Sequence, residues 1–256
     1  MVRNLWTREE MILVLNLYLK LPFGQMYSRN SQVKHIAELI GRSSNAVAFR
    51  LVNFASLDPQ LRQRGISGMS NGGKYCKEIW EEFAANREGL LFESERILAE
   101  REGTTVERKY ESLIRIPTGM TGEEKLRQVK TRVNQNVFRQ IVLANYNGKC
   151  ALTGIDVPEL LVASHIIPWA VNREERLNPE NGICLSTLYD KCFDIGLLSL
   201  TKDFQVIYAR QLKENVGKDF YDRFFQSFEY QTITLPVKYL PKQDFLEWHR
   251  DTIFEK

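Results

Sequence analysis

The stretch Leu160–Gly196 limits most severely what this chain can fold into. Leu160-Leu161-Val162-Ala163-Ser164-His165-Ile166-Ile167 is stopped at Pro168-Trp169 and reads as an apolar strand running into a histidine. A charged loop follows at Asn172–Glu175, then a turn at Asn178-Pro179-Glu180-Asn181-Gly182. Ile183–Ser186 is a second strand, and Thr187–Phe193 is one or two helical turns ended by Asp194-Ile195-Gly196. Two strands and a helix in this order can bring three side chains around one divalent ion. A neutral histidine suits water activation near pH 7. An asparagine amide can orient an imidazole or complete a metal shell, and an aspartate oxygen suits a hard cation. The candidates are therefore His165, Asn181, Asp190 and Asp194. Beyond them, Leu197–Leu200 and Phe204–Tyr208 predict a hairpin. Gln243–Phe254 predicts a terminal helix whose Trp248 and His249 serve packing.

The N-terminal half reads differently. Thr7 and Glu10 form a capping box, and Met11, Ile12, Leu15, Tyr18 and Leu19 recur at helical spacing. Val33–Gly41 and Ala46–Phe54 predict two short helices around a Gly-stopped, Ser-rich turn, the layout of a helix-turn-helix. In that reading Ser44, Asn45 and Arg50 are placed to reach base edges in a major groove. The bland alternative is a pair of packed helices. Further helices are expected at Cys76–Phe83 and Glu93–Glu102. Residues 1–102 form a helical domain in this reading. A Thr- and Gly-rich linker covers 103–124, and a second domain covers 125–256.

Charge adds one local signal. The net charge of +3 says little, but Lys125, Arg127, Lys130, Arg132, Arg139 and Lys149 occur with no acidic residue among them. Such a run can neutralise phosphates, or it can be a solvated helix face. Phe138–Asn145 follows as a helix. With 256 residues and 43% hydrophobic content the chain can build a substantial core. No apolar run reaches the roughly 18 residues of a membrane span, and Met1–Trp6 shows no leader core. Cys76, Cys150, Cys184 and Cys192 lack the close pairs of a zinc site or a disulfide framework. Free thiols in the cytoplasm and no structural zinc are expected.

Ala163–Trp169, Asn178–Ser186 and Tyr189–Gly196 together resemble the signature of the HNH endonucleases. The nearest branch is that of bacterial HNH restriction endonucleases. Cys150–Gly154, Gln135–Arg139 and the leader segment Ala46–Pro59 resemble the same branch. The resemblance implies an α+β protein, with an N-terminal helical, helix-turn-helix-like domain and a C-terminal ββα-metal nuclease domain. It implies DNA phosphodiester hydrolysis with one Mg²⁺ or Mn²⁺ ion, His165 as general base, and Asn181 in the middle position. Asp190 stands where the family usually has a metal-binding histidine, and Ser164 stands where many members have an aspartate. Double-stranded DNA is the expected partner. A homodimer is expected because one site of this size cuts one strand. The alternative is a non-catalytic DNA-binding regulator on a degenerate HNH scaffold.

Overall fold

The computed structural model describes residues 5–22, 24–63, 73–114 and 122–254. The chain divides into two compact units, Met1–Val137 and Phe138–Lys256. The division falls inside a helix; a linker was expected at 103–124. Residues 115–121 of that segment lie outside the described residues.

The first unit is helical. Its elements are α1 (Arg8–Lys20), α2 (Ser31–Leu39), α3 (Ser44–Leu57), α4 (Pro59–Gln63), α5 (Lys74–Ala85), α6 (Arg87–Arg101) and α7 (Val106–Lys109). Helix α1 starts as its sequence dictates. The Thr7 hydroxyl accepts from the Glu10 amide, and the Glu10 carboxylate accepts from the Thr7 amide at 2.8 Å. Every residue from Glu10 to Leu19 is buried, so α1 is the central helix, packed by α2, α3, α5 and α6. A helix buried all round has to satisfy its polar side chains internally. Asn16 donates to Glu95, Tyr18 donates to Asp58, and Glu10 pairs with Arg42 at 2.8 Å. Between α2 and α3 the backbone turns through Gly41, whose φ of 64° favours glycine, and Ser43 caps α3.

Helix α8 (Gly122–Asn145) joins the basic run and the predicted Phe138–Asn145 helix into one element. Val129, Val133, Val137 and Ile141 recur at four-residue spacing and are buried, which makes the whole segment one amphipathic helix.

The second unit holds two ribbons and five helices, counting the last turns of α8. Strand β1 (Leu161–His165) pairs antiparallel with β2 (Gly182–Ser186), and His165 faces Gly182 at the end of the ladder. The expected strand extends to Trp169, but it stops at His165. There the Ile166 amide bonds to the Asn181 carbonyl, the Ile167 amide turns to the Asn181 side chain, and Pro168 has no N–H to give. Helix α9 (Thr187–Asp194) packs on both strands. The predicted hairpin forms as β3 (Leu198–Leu200) and β4 (Val206–Tyr208). Helices α10 (Arg210–Asn215), α11 (Lys218–Phe224) and α12 (Gln243–Thr252) complete the unit. Cys150–Gly154 is a turn, closed by the Gly154 amide on the Cys150 carbonyl. It bonds to β2 from the Ala151 amide to the Cys184 carbonyl and from the Ser186 amide to Cys150 Sγ. All four cysteines are buried and free. Among the described residues no helix is long and apolar enough to cross a membrane.

His249 of α12 is fully buried. Its ring stacks on Phe193 at 3.8 Å, its Nε2–H donates to the Phe193 carbonyl, and its Nδ1 accepts from the Ser199 hydroxyl. Burial holds its pKa down to about 4, so it stays neutral and acts as the peg between α12 and the end of α9.

Gly182 is the tightest position of the β1–β2 ribbon. A Cβ there would lie 2.4 Å from Val142 Cγ2 and 2.9 Å from Phe138 Cζ, both on α8. Gly182→Ala should therefore lower stability by about 1–3 kcal/mol through overpacking, read as a drop in the urea midpoint.

Candidate functional site

His165 sits at the end of β1, half-buried, with its imidazole fixed on three sides. Phe138 stacks against it at 4.1 Å between centroids and 15° between planes. Trp169 meets it edge-on at 5.7 Å. The Arg176 carbonyl lies 2.9 Å from Nε2. A carbonyl oxygen only accepts, so Nε2 carries the proton and the lone pair of the neutral ring is on Nδ1. No partner holds Nδ1 among the described residues, in contrast to His249, whose two ring nitrogens are both taken. Burial lowers the His165 pKa below the ordinary histidine value, and the Arg176 carbonyl opposes that in part. The side chain is thus a neutral imidazole near pH 7 with one oriented basic atom. Gly182 makes this possible locally, since the Phe138 ring fills the place of a Cβ opposite His165.

Asn181 is fully buried, and its amide is occupied by backbone. Its Oδ1 accepts from the Ile167 amide at 2.8 Å, and its Nδ2 donates to the Ile167 carbonyl at 3.0 Å and the Glu175 carbonyl at 3.4 Å. It therefore closes the loop between β1 and β2 at both ends. Because Arg176 follows Glu175, the same clamp places the carbonyl that holds His165. Asn178 assists, capping the next turn and donating to the Glu175 carboxylate at 2.7 Å.

The acidic side chains come from α9. Asp190 and Asp194 are one helical turn apart, Asp190 half-buried and Asp194 exposed. Burial pushes both carboxyls above the usual aspartate range. At Asp190 the charge of Asp194 adds to this, while Ser164 and Lys191 oppose it. Ser164 is 2% exposed, and its Oγ faces Asp190 without completing a hydrogen bond of good geometry. Ser164 and His165 are consecutive in a strand and project to opposite faces. The imidazole thus lies on the α8 side of the ribbon, and the Asp190 carboxyl lies with Ser164 on the α9 side. The ribbon therefore does not bring the imidazole and the Asp190 carboxyl onto one face. Among the described residues no three His, Cys, Asp or Glu side chains form such a group. What α9 and Ser164 offer is an all-oxygen set of two carboxyls and a hydroxyl. It suits a hard cation that keeps most of its waters.

This order of elements has a counterpart among known proteins. Residues 150–201 match the family model HNH_2, described as HNH endonuclease. Those residues are an HNH endonuclease domain. The match spans the Cys150 turn, both strands of the His165 ribbon, helix α9 and β3; Phe138 of α8 and His249 of α12 lie outside it. A search of curated proteins found no match. The match lies in the C-terminal half of the chain and points to nuclease activity in general.

The residues expected to touch DNA fall into separate groups. Ser44 and Asn45 open α3 and line a shallow groove with Ser28, Glu38, Arg42 and Ser43. Arg50 lies over the Trp6 ring at 5.2 Å, on the ring that Arg42 also covers. Lys125, Arg127 and Arg132 are exposed on α8, where Arg127 and Arg132 share a groove with Thr131 and Gln135. Lys130 lies 3.7 Å from Glu88. Arg139 is held by structure, donating to the Leu161 carbonyl at 2.6 Å and the Pro158 carbonyl at 2.8 Å. Sequence reasoning did not find the role of Phe138 or of the Arg176 carbonyl. Helical spacing marks Phe138 as apolar, but nothing in a sequence marks one carbonyl among many.

Asn181→Asp should destabilise the domain at neutral pH by more than Asn181→Ala. Its carboxylate would face the Ile167 and Glu175 carbonyls, and a buried unmatched charge costs more than the roughly 1–3 kcal/mol of lost neutral bonds. Thermal and urea unfolding of the two variants check this.

Proposed function

We propose that this protein is a metal-dependent DNA endonuclease of restriction type in which His165 is the general base. The observation that supports this best is the His165 imidazole, neutral, with Nε2–H anchored on a carbonyl and Nδ1 left to accept a proton. Phosphodiester hydrolysis needs a base that takes a proton from water as oxygen attacks phosphorus. Nδ1 fills that role, and the Arg176 carbonyl stabilises the imidazolium that results. Phe138 and Trp169 hold the ring against rotation and limit water around it. Asn181 is a positioning residue, acting through the loop that carries Arg176. Asp190 and Asp194 would hold the divalent ion, with the Ser164 hydroxyl beside them. When bound, Mg²⁺ or Mn²⁺ supplies positive charge to the scissile phosphate and the leaving oxygen.

In this reading helix α3, through Ser44 and Asn45, contacts bases, and Lys125, Arg127 and Arg132 contact phosphates. One His165 site cuts one strand, so double-strand cleavage takes two copies of the chain. A second reading is a DNA-binding regulator. The observation that favours it is the absence, among the described residues, of a three-ligand metal group.

Plasmid nicking with Mg²⁺ or Mn²⁺ separates the two. Wild type should nick, and His165→Ala should be slower by about 10²–10⁴-fold, the usual worth of a general base. A wild type that shifts the plasmid on a gel and leaves it intact in both metals would establish the regulator. The base works deprotonated and its pKa is lowered, so kcat/KM should fall with acid through a midpoint below the ordinary histidine value of about 6.5. Asp190→Asn should raise the Mg²⁺ concentration for half-maximal nicking by about tenfold or more.

A further inference from the structure

Helix α3 buries one side and exposes the other. Val47, Leu51, Phe54 and Ala55 face the core of the first unit. The opposite side carries Asn45, Phe49 and Val52, spaced by four and then three residues, so they form one stripe along the helix. All three are exposed, and Phe49 and Val52 each keep 42% of their surface open to water. The outer face of a helix ordinarily carries charge, and an apolar one marks a contact.

The charge around the stripe says what kind of contact. Helix α3 holds no acidic residue. Residues 24–57 carry Arg29, Lys34, Arg42 and Arg50 against one carboxylate, Glu38. Arg42 and Arg50 lie over Trp6, while Arg29 and Lys34 are exposed. An apolar stripe in basic surroundings suits a partner that is anionic at its rim and apolar within. The major groove of duplex DNA is such a surface. Phosphates line its edges, and the C5 methyl groups of thymine project from its floor. The start of the stripe is also held rigidly. Ser43 caps α3, and Arg42 pairs with Glu10 of the buried helix α1 at 2.8 Å. The step from Asn45 to Val52 covers about 10 Å at about 1.5 Å per residue, which is about three base-pair steps.

We propose that α3 reads thymine. Phe49 and Val52 pack on C5 methyl groups in the major groove, and the Asn45 amide bonds the N6 and N7 edge of a neighbouring adenine. The proposal rests on the reading of α3 as the base-contacting helix and names what that helix selects, short duplex sites rich in A·T pairs.

The test uses the full chain in EDTA, so that no strand is cut, as wild type and as the double variant Phe49→Ala, Val52→Ala. Both substitutions lie on the exposed face and should leave the urea midpoint at the wild-type value. A random-sequence duplex pool is selected for binding to wild type, and the retained sites should be enriched in A·T. These sites are then made with thymine and with deoxyuridine, which keeps every hydrogen-bonding group and lacks the methyl. Wild type should bind the thymine form about three- to fivefold tighter for each methyl group contacted, the worth of burying one such group. The double variant should bind both forms alike and keep the wild-type salt slope, because no charge has been removed. The comparison of thymine with deoxyuridine needs only wild type, so it decides even where the variant folds poorly. Equal binding of the two forms by wild type, or a folded variant that keeps the preference, overturns the proposal and leaves DNA binding by this unit standing. Tighter binding when 5-methylcytosine replaces thymine in these sites overturns the choice of thymine. Retained sites with no common sequence overturn base reading by α3 as well, and a wild type that binds no duplex overturns DNA recognition altogether. A variant that sediments as a smaller species than wild type makes the stripe an interface between copies of the chain and also overturns the proposal.

Discussion

Three hydrogen bonds from one buried amide hold the HNH domain's site together. Asn181 links Ile167, just past the end of β1, to Glu175, at the far end of the loop. A loop of this length between two short strands would otherwise sample many conformations. Its closure is what places the Arg176 carbonyl on His165 and the Arg176 head on Trp169. Each bond is worth only about 1 kcal/mol net. Their effect is larger because all three constrain the same segment, and because the amide lies where water cannot replace them.

The ribbon is thin, and its two faces have different tasks. On one side α8 presses Phe138 into the space above Gly182 and fixes the imidazole. On the other, α9 brings Asp190 to Ser164, with Asp194 one helical turn further on. Helix α9 is in turn held from behind by His249, which takes the carbonyl of Phe193 and the hydroxyl of Ser199. The two histidines of this unit use the same device, an aromatic stack and an Nε2–H on a carbonyl. They differ in burial and in whether Nδ1 has a neighbour. That difference separates a structural peg from a candidate base.

Much of this frame was legible in the sequence. The His165 strand, the Asn181 turn, the Asp190 helix and the following hairpin all follow from periodicity and turn chemistry, because each is set by local side chains. Boundaries set by a distant partner were not legible. Strand β1 ends early because Asn181 takes the Ile167 amide. Helix α8 was read in two pieces, since its charges drew attention from the four-residue apolar spacing beneath them. The site was legible as residue types and not as roles. Asn181 looked like a shell member and proves to hold a loop. Arg139 looked like a phosphate contact and caps the carbonyls of Pro158 and Leu161. His165 as base and Asp190 as ligand were read as grouped around one ion, but Ser164 and His165 alternate across a strand. That period of two separates them.

The packing of Phe138 into the gap at Gly182 has a consequence for turnover. A ring gripped on its face, at its edge and at Nε2 cannot flip. A flipping imidazole can collect a proton on one side and release it on another, as a shuttle does. This one has a single port. In the proposed reaction the proton that arrives at Nδ1 would have to depart from Nδ1, to solvent or to the leaving oxygen, before the next cycle begins. The glycine that lets the ring sit so tightly thus also fixes the direction of proton traffic through it.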